Sequence, residues 1–146
     1  MGKPTIADAE LCLKLYELRT EETMRKARKF VAFEFWPETI TDLQKVIFAF
    51  DTDNNHYWRQ VMSYWEMAAG FVNHEALNED VFAASASELF FVFAKYKHFI
   101  PQMREVNPAF MANMEEFINR SKENQERVDR VAQGPVKLVK AKVVGK

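Results

Sequence analysis

Residues 79–99 read EDVFAASASELFFVFAKYKHF, and this stretch decides the fold. Asn78 precedes two acids, which favours a helix start because its side-chain oxygen can accept an unpaired backbone N–H. At about 100° per residue, the apolar residues that follow leave no wide polar side. Other elements must cover such a helix, so we expect it to be central. Its apolar residues are Val81, Phe82, Ala86, Leu89, Phe90, Phe91, Val92, Phe93 and Tyr96.

Helix-start and helix-stop residues divide the rest of the chain into further helices. Thr5, Thr20 and Thr41 precede apolar periodic segments, while Pro37 and Pro101 end or kink them. The sequence therefore predicts an all-α fold, an irregular bundle of five to six helices with a central apolar helix near 79–99. The predicted helices lie near 6–18, 21–36, 41–50, 54–74, 79–99 and 108–131.

Length and composition predict one domain. The chain has 146 residues, 48% of them hydrophobic and 13 of them Phe, which suffices for a sizeable core. We expect residues 1–133 to form a single helical domain. Residues 134–146 carry four lysines and no acid, and we expect a basic C-terminal tail that forms no helix face.

Charge and cysteine content indicate a cytoplasmic protein without a membrane partner. The formal net charge of −1 gives no steering toward nucleic acid or an anionic membrane. Cys12 is the sole cysteine, which excludes an intrachain disulfide and suits a reducing compartment. No uncharged run approaches membrane-spanning length.

Helix 6–18 has two apolar sectors. Ile6, Ala9, Leu13 and Tyr16 fall on one side, whereas Leu11, Leu15 and Leu18 fall on another. Apolar residues on two sides of one helix need two partners. We therefore expect this helix either to wedge between neighbours or to form a subunit interface, most simply in a homodimer.

Two carboxylates fall among apolar residues. Glu34 lies on the apolar side of helix 21–36, and Glu88 lies at the middle of the most apolar helix. A buried ionised carboxylate costs several kcal/mol unless it is paired, so each requires a partner. Arg28 is the best placed, with Arg104 or a tyrosine hydroxyl as alternatives. The pair could be structural, or the carboxylate could line a ligand pocket.

Motifs for catalysis and metal binding are missing. The chain has no Glu-x-x-His, His-Glu-x-x-His or His-x-x-x-His spacing, so we predict no metal site. Four scattered glycines cannot build a phosphate-binding loop, and we predict no cofactor. The basic run at 25–29 is offset by Glu21 and Glu22, and this charge balance argues against nucleic-acid binding there.

Two segments carry a family resemblance: ETMRKARKFV at 22–31 and YWEMAAGFVNHEALNEDVF at 64–82. Together they resemble small helical bacterial proteins grouped as domain-of-unknown-function family 4760. In that family, too, an aromatic-Glu helix is followed by a short polar turn and a second apolar helix. The resemblance implies an all-helical fold and a bacterial origin, and it implies no reaction.

Three functions remain open from the residues alone. The first is a non-enzymatic protein-interaction or regulatory module that self-associates, favoured by the missing motifs and by helix 6–18. The second is a binding protein or enzyme for a small apolar ligand, with a pocket lined by aromatics and by Glu34 and Glu88. The third is a nucleic-acid binder that uses residues 25–29 and the lysine tail. A closed cavity beside Glu88 would favour the second.

Overall fold

The computed structural model describes residues 2–145 and confirms the all-α class, with no strand in that range. The chain has more helical segments than the five to six expected. A π-helical turn (Lys29–Glu34) follows α2, and a 3-10 turn (Lys97–Phe99) precedes α7. The α-helices are α1 (Ile6–Thr20), α2 (Glu22–Arg28), α3 (Ile40–Ile47), α4 (Asp53–Asn73), α5 (Glu79–Ser85), α6 (Ser87–Tyr96), α7 (Ile100–Met103), α8 (Ala112–Asn119), α9 (Lys122–Gln133) and α10 (Pro135–Val144).

The centre of the fold is α6, which packs mainly against α9 and meets α4 through aromatic side chains. Seven of the ten α6 residues are buried, and Trp65 of α4 is fully buried. Trp58 meets the Tyr96 ring edge-on, with ring centroids 4.9 Å apart. Phe90 of α6 packs edge-on against Phe117 of α8 at 5.8 Å. The central position predicted for this apolar stretch therefore belongs to its second half.

The predicted helix 79–99 is interrupted at Ala86. This residue is fully buried, and its ψ angle of 34° leaves the helical region. The break starts a new helix and places Glu88 in the first turn of α6, facing α2 and α4. Pro101 lies at the start of α7, where a missing N–H costs nothing.

Two other predicted boundaries are wrong for local reasons. Helix 108–131 is divided, because Ser121 accepts a hydrogen bond from the backbone N–H of Asn124 and starts α9. The chain after Gly134 forms α10, so the expectation that the tail has no helix face is wrong. Val136 of α10 packs against the core, although α10 contains no fully buried residue.

Helix 21–36 ends in a π-helical turn. The Phe35 N–H donates to the Phe30 carbonyl at 2.9 Å, an i→i+5 bond that adds a residue to the turn. The extra residue rotates the following side chains away from their α-helical positions. Glu34 is turned outward as a result, and its side chain is 53% exposed.

No helix within residues 2–145 combines the length and the apolar character required to cross a membrane.

Candidate functional site

The predicted pair of Glu88 and Arg28 is confirmed. Arg28 Nε donates to Glu88 Oε1 at 2.9 Å, and the buried indole of Trp65 donates Nε1–H to Glu88 Oε2 at 3.0 Å. Both oxygens of the carboxylate are therefore hydrogen-bonded. The pair joins α2, α4 and α6, which explains how a carboxylate is accommodated at the centre of the fold.

The same network reaches α1. Arg28 Nη1 donates to the Arg19 carbonyl at 3.1 Å, and Arg19 Nη1 donates to the Tyr64 hydroxyl at 3.2 Å. The Tyr64 hydroxyl in turn donates to the Leu15 carbonyl. Burial raises the pKa of Tyr64, so this hydroxyl keeps its proton and its role as a donor. These hydrogen bonds therefore hold the C-terminal half of α1 against the core.

A cleft of about 380 Å³ lies beside Glu88, bordered by Phe33 and Phe91. It is open to solvent rather than closed, since Phe33 on its wall is exposed. Arg127 on the opposite wall donates to the Ala83 carbonyl at 2.8 Å and to Ser87 Oγ at 3.0 Å. With Glu88 and Arg127 both engaged, the cleft offers a ligand apolar surface and few free polar groups.

The other two predicted site residues lie elsewhere. Glu34 is not buried and stands 4.0 Å from Lys29 Nζ at the surface, so its expected apolar setting is wrong. The π-helical turn is the reason. Arg104 does not approach Glu88. It binds the Glu115 carboxylate at 2.9 Å and the Phe110 carbonyl at 3.0 Å, under the loop that precedes α8.

Lys95 forms a site that sequence reasoning missed. Its buried Nζ donates to the Val31 and Ala32 carbonyls at 2.9 and 3.1 Å and lies 3.7 Å from the centre of the Trp36 ring. Desolvation lowers the pKa of this amine to about 7. A lysine among the apolar residues 89–94 and Tyr96 is the signal that points to such a site, because its buried amine needs acceptors, here the carbonyl groups of the π-helical turn.

A cleft of about 360 Å³ lies next to Lys95 and is predominantly basic. His98, Lys137 and Lys140 line it, and among the described residues around it Glu38 is the only acid. Burial and the positive charges of Lys140 and Lys97 lower the pKa of His98. The basic surface predicted for the tail is therefore assembled from α10 and the end of α6.

An apolar groove of about 390 Å³ lies between the end of α3, α4 and the loop before α8. Its floor contains the buried side chains of Trp58, Met62 and Phe110, and its rim contains the exposed Phe48 and Phe50. Sequence reasoning missed this groove because its walls come from three separate segments. The signal was the pair Phe48 and Phe50, two large apolar residues ahead of a polar loop.

The first apolar sector of α1 is uncovered. Ile6, Ala9, Leu13 and Tyr16 are all exposed, with Leu13 at 63%. Leu15 of the second sector is buried and Leu11 is partly buried, while Leu18 remains exposed. α1 therefore buries one side in its own fold and presents the other to solvent.

Nucleophiles and metal ligands are not assembled in the described chain. Burial raises the pKa of the Cys12 thiol, which keeps it protonated and poorly nucleophilic. Within residues 2–145, no three His, Cys, Asp or Glu side chains come close enough together to hold a metal ion. His56 is paired with Asp51 at 3.1 Å at the surface.

The basic run at 25–29 is divided between two environments. Arg28 points inward to Glu88, and Lys26 stands 3.6 Å from Glu22 one turn earlier. Lys29 stands near Glu34. These contacts neutralise part of the positive charge that a phosphate backbone would need.

The chain belongs to the family described as Domain of unknown function (DUF4760), whose model matches residues 4–121. This match confirms the resemblance seen at 22–31 and 64–82. No curated protein and no solved structure matches the chain. The matched range contains α1 through α8, and with them the Arg28–Glu88 pair, the exposed face of α1 and the apolar groove. α9 and α10 lie beyond it.

Proposed function

We propose that the protein is a non-enzymatic, cytoplasmic interaction module that self-associates through α1. The observation that carries the proposal is the row of exposed apolar residues at positions 6, 9, 13 and 16. Their spacing of three and four is that of the a and d positions of a coiled coil, where each apolar side chain is covered by a second helix. The other side of α1 is held on the core by Leu15 and by the Arg19–Tyr64 contact.

The occupant of this face is a second copy of the chain. In an antiparallel pair with a two-fold axis near Leu11, Ile6 of one copy faces Tyr16 of the other, and Ala9 faces Leu13. Each of these two contacts thus occurs twice in the dimer, as a self-complementary two-fold interface requires. The face is already ordered by its attachment to the core, so association costs little backbone entropy.

Charges beside the apolar row support the same arrangement. Glu10 and Lys14 are exposed and lie on one flank of the row. In the antiparallel pair, Glu10 of each copy lies two residues from Lys14 of the other, an offset of about 3 Å along the helix axis. The two oppositely charged contacts favour this register over a parallel one.

The test is sedimentation velocity of the full chain over a micromolar concentration series. We expect a concentration-dependent dimer that Leu13→Glu converts to a monomer, because it places two carboxylates in the apolar seam. Leu138→Glu is the matched control: it is the same substitution at an exposed leucine, 70% exposed on α10. It should leave the dimer intact.

Charge reversal tests the register. Glu10→Lys and Lys14→Glu should each weaken the dimer, and the double variant should restore it. A wild-type chain that stays monomeric throughout the series would refute the proposal. An equal effect of Leu13→Glu and Leu138→Glu would refute the assignment to α1.

The alternatives from the sequence have less support. A pocket built on both Glu34 and Glu88 would need both carboxylates in its wall, and Glu34 is not among the described residues that line the cleft beside Glu88. Nucleic-acid binding through residues 25–29 would need a free Arg28, which is engaged by Glu88 and by the Arg19 carbonyl.

A further inference from the structure

The groove formed by the end of α3, α4 and the loop before α8 has the size and composition of a small-molecule site. Its volume of about 390 Å³ falls within the usual range for such sites, which begins near 300 Å³. Apolar side chains form most of its wall, including Phe48, Phe50, Trp58, Met62 and Phe110. Phe48 and Phe50 on the rim are 44% and 69% exposed, so both large apolar side chains are accessible to a ligand.

Flexible side chains make up part of the groove. Met62, Met103 and Met111 line it, and an unbranched thioether can adjust to the shape of an apolar ligand. Met111 itself has a φ angle of 53°, a left-handed conformation that is uncommon for a side chain of this size. Such backbone conformations concentrate at ligand sites.

Two of the described residues that line the groove are charged, and one of them already has protein partners. The Glu66 carboxylate accepts the backbone N–H groups of Asn113 and Met114 at 3.1 and 2.8 Å, so it caps the start of α8. Arg59 lies two helical turns earlier on the same helix and is exposed. Within residues 2–145 it makes no hydrogen bond or ion pair. The charged group that is free to contact a ligand is therefore the Arg59 guanidinium.

We propose that this groove binds an amphipathic carboxylate, a molecule with one apolar body and one anionic end. The apolar body lies against Trp58, Met62 and Phe110. The carboxylate lies at the rim, where the planar fork of Arg59 donates two parallel hydrogen bonds to its oxygens. Asn107 at the same rim leaves its amide N–H groups available, since its side-chain oxygen accepts the Ala109 N–H.

The experiment compares three probes that share one ten-carbon chain: decanoate, decanol and decyltrimethylammonium. Binding is followed by NMR of methionine methyl groups in the full chain. Met62, Met103 and Met111 report on the groove, whereas Met24 and Met67 report on a separate cleft beside α2. We expect saturable chemical-shift changes at Met62, Met103 and Met111 with decanoate. Decanol should bind more weakly, and decyltrimethylammonium should bind most weakly.

Arg59→Gln separates the charge from the apolar contacts. We expect it to weaken the binding of decanoate about fivefold, the effect of one partly exposed charge contact, and to leave the affinity for decanol unchanged. Arg25→Gln is the matched control, because Arg25 is also an exposed helical arginine but lies outside the groove. It should change neither affinity.

Three results would overturn the proposal. The first is equal binding of decanoate and decanol by the wild-type chain. The second is a set of shifts centred on Met24 and Met67. The third is a shift of the groove methionines with protein concentration alone, which would mean that a second copy covers the groove. The first two do not bear on the α1 interface, and Leu13→Glu distinguishes the third from it, because that substitution would not remove a contact at the groove.

Discussion

Replacement of Glu88 tests whether the ion pair at the centre of the fold is structural. In Glu88→Gln, one carboxylate oxygen becomes an NH₂ group that must face either Arg28 Nε or Trp65 Nε1, and both of these are donors. The substitution therefore removes a charge and also places one N–H donor against another. Arg28 loses the ionic partner that accounts for its inward position.

The exposure of the two side chains sets the magnitude. Glu88 is 15% exposed and Arg28 is 30% exposed, so water can rehydrate part of the stranded guanidinium. We expect a loss of about 2–3 kcal/mol, below the roughly 3–5 kcal/mol typical of a fully buried pair. For a domain of this size, that corresponds to a fall in Tm of about 5–10 °C.

The assay is a double-mutant cycle in urea with Glu88→Gln, Arg28→Met and the double variant. Arg28→Met also leaves the Arg19 carbonyl without its donor, so it should destabilise by a similar amount. In the double variant neither charge is stranded, and we expect about 1–2 kcal/mol less destabilisation than the sum. Arg25→Met on the exposed side of α2 is the control. Additive single effects, within about 0.5 kcal/mol, would refute the pairing.

Two further predictions concern Lys95 and α10. Burial lowers the pKa of Lys95 to about 7, so between pH 7 and 9 the unfolded chain binds more protons than the folded one. The free energy of unfolding should therefore rise by up to about 2 kcal/mol between pH 7 and 9. A rise of equal size in Lys95→Met would show that Lys95 is not the group responsible. Truncation after Gln133 removes α10, whose Val136 and Val139 are partly buried, and should cost about 1–2 kcal/mol by thermal denaturation. A loss well above that would mean that α10 is integral to the domain.

A candidate site could be predicted where the position of a single residue showed that it needed a partner. Glu88 stands alone among aromatic residues, and the cost of an unpaired carboxylate demanded a cation such as Arg28. The structure added Trp65 as the second donor. Glu34 also lies among apolar residues in the sequence, but the π-helical turn moves it away from the apolar side of the helix. No residue pattern in 29–34 predicts that turn.

Sites assembled from distant segments could not be foreseen. The apolar groove joins residues 47–50, 58–66 and 103–111, and the Lys95 site joins α6 to the carbonyl groups of residues 31 and 32. Each depends on how helices cross, which periodicity within one helix does not specify.

By itself, the sequence determined the class of fold, the existence of most helices and the need for a partner at Glu88. These follow from local properties, namely apolar periodicity, capping residues and the cost of burying a charge. Only the tertiary structure decided that α1 buries Leu15 and exposes Leu13, that the helix breaks at Ala86, and that Arg104 pairs with Glu115. These depend on which neighbouring surfaces meet in the packed core, where many side chains compete for the same contacts.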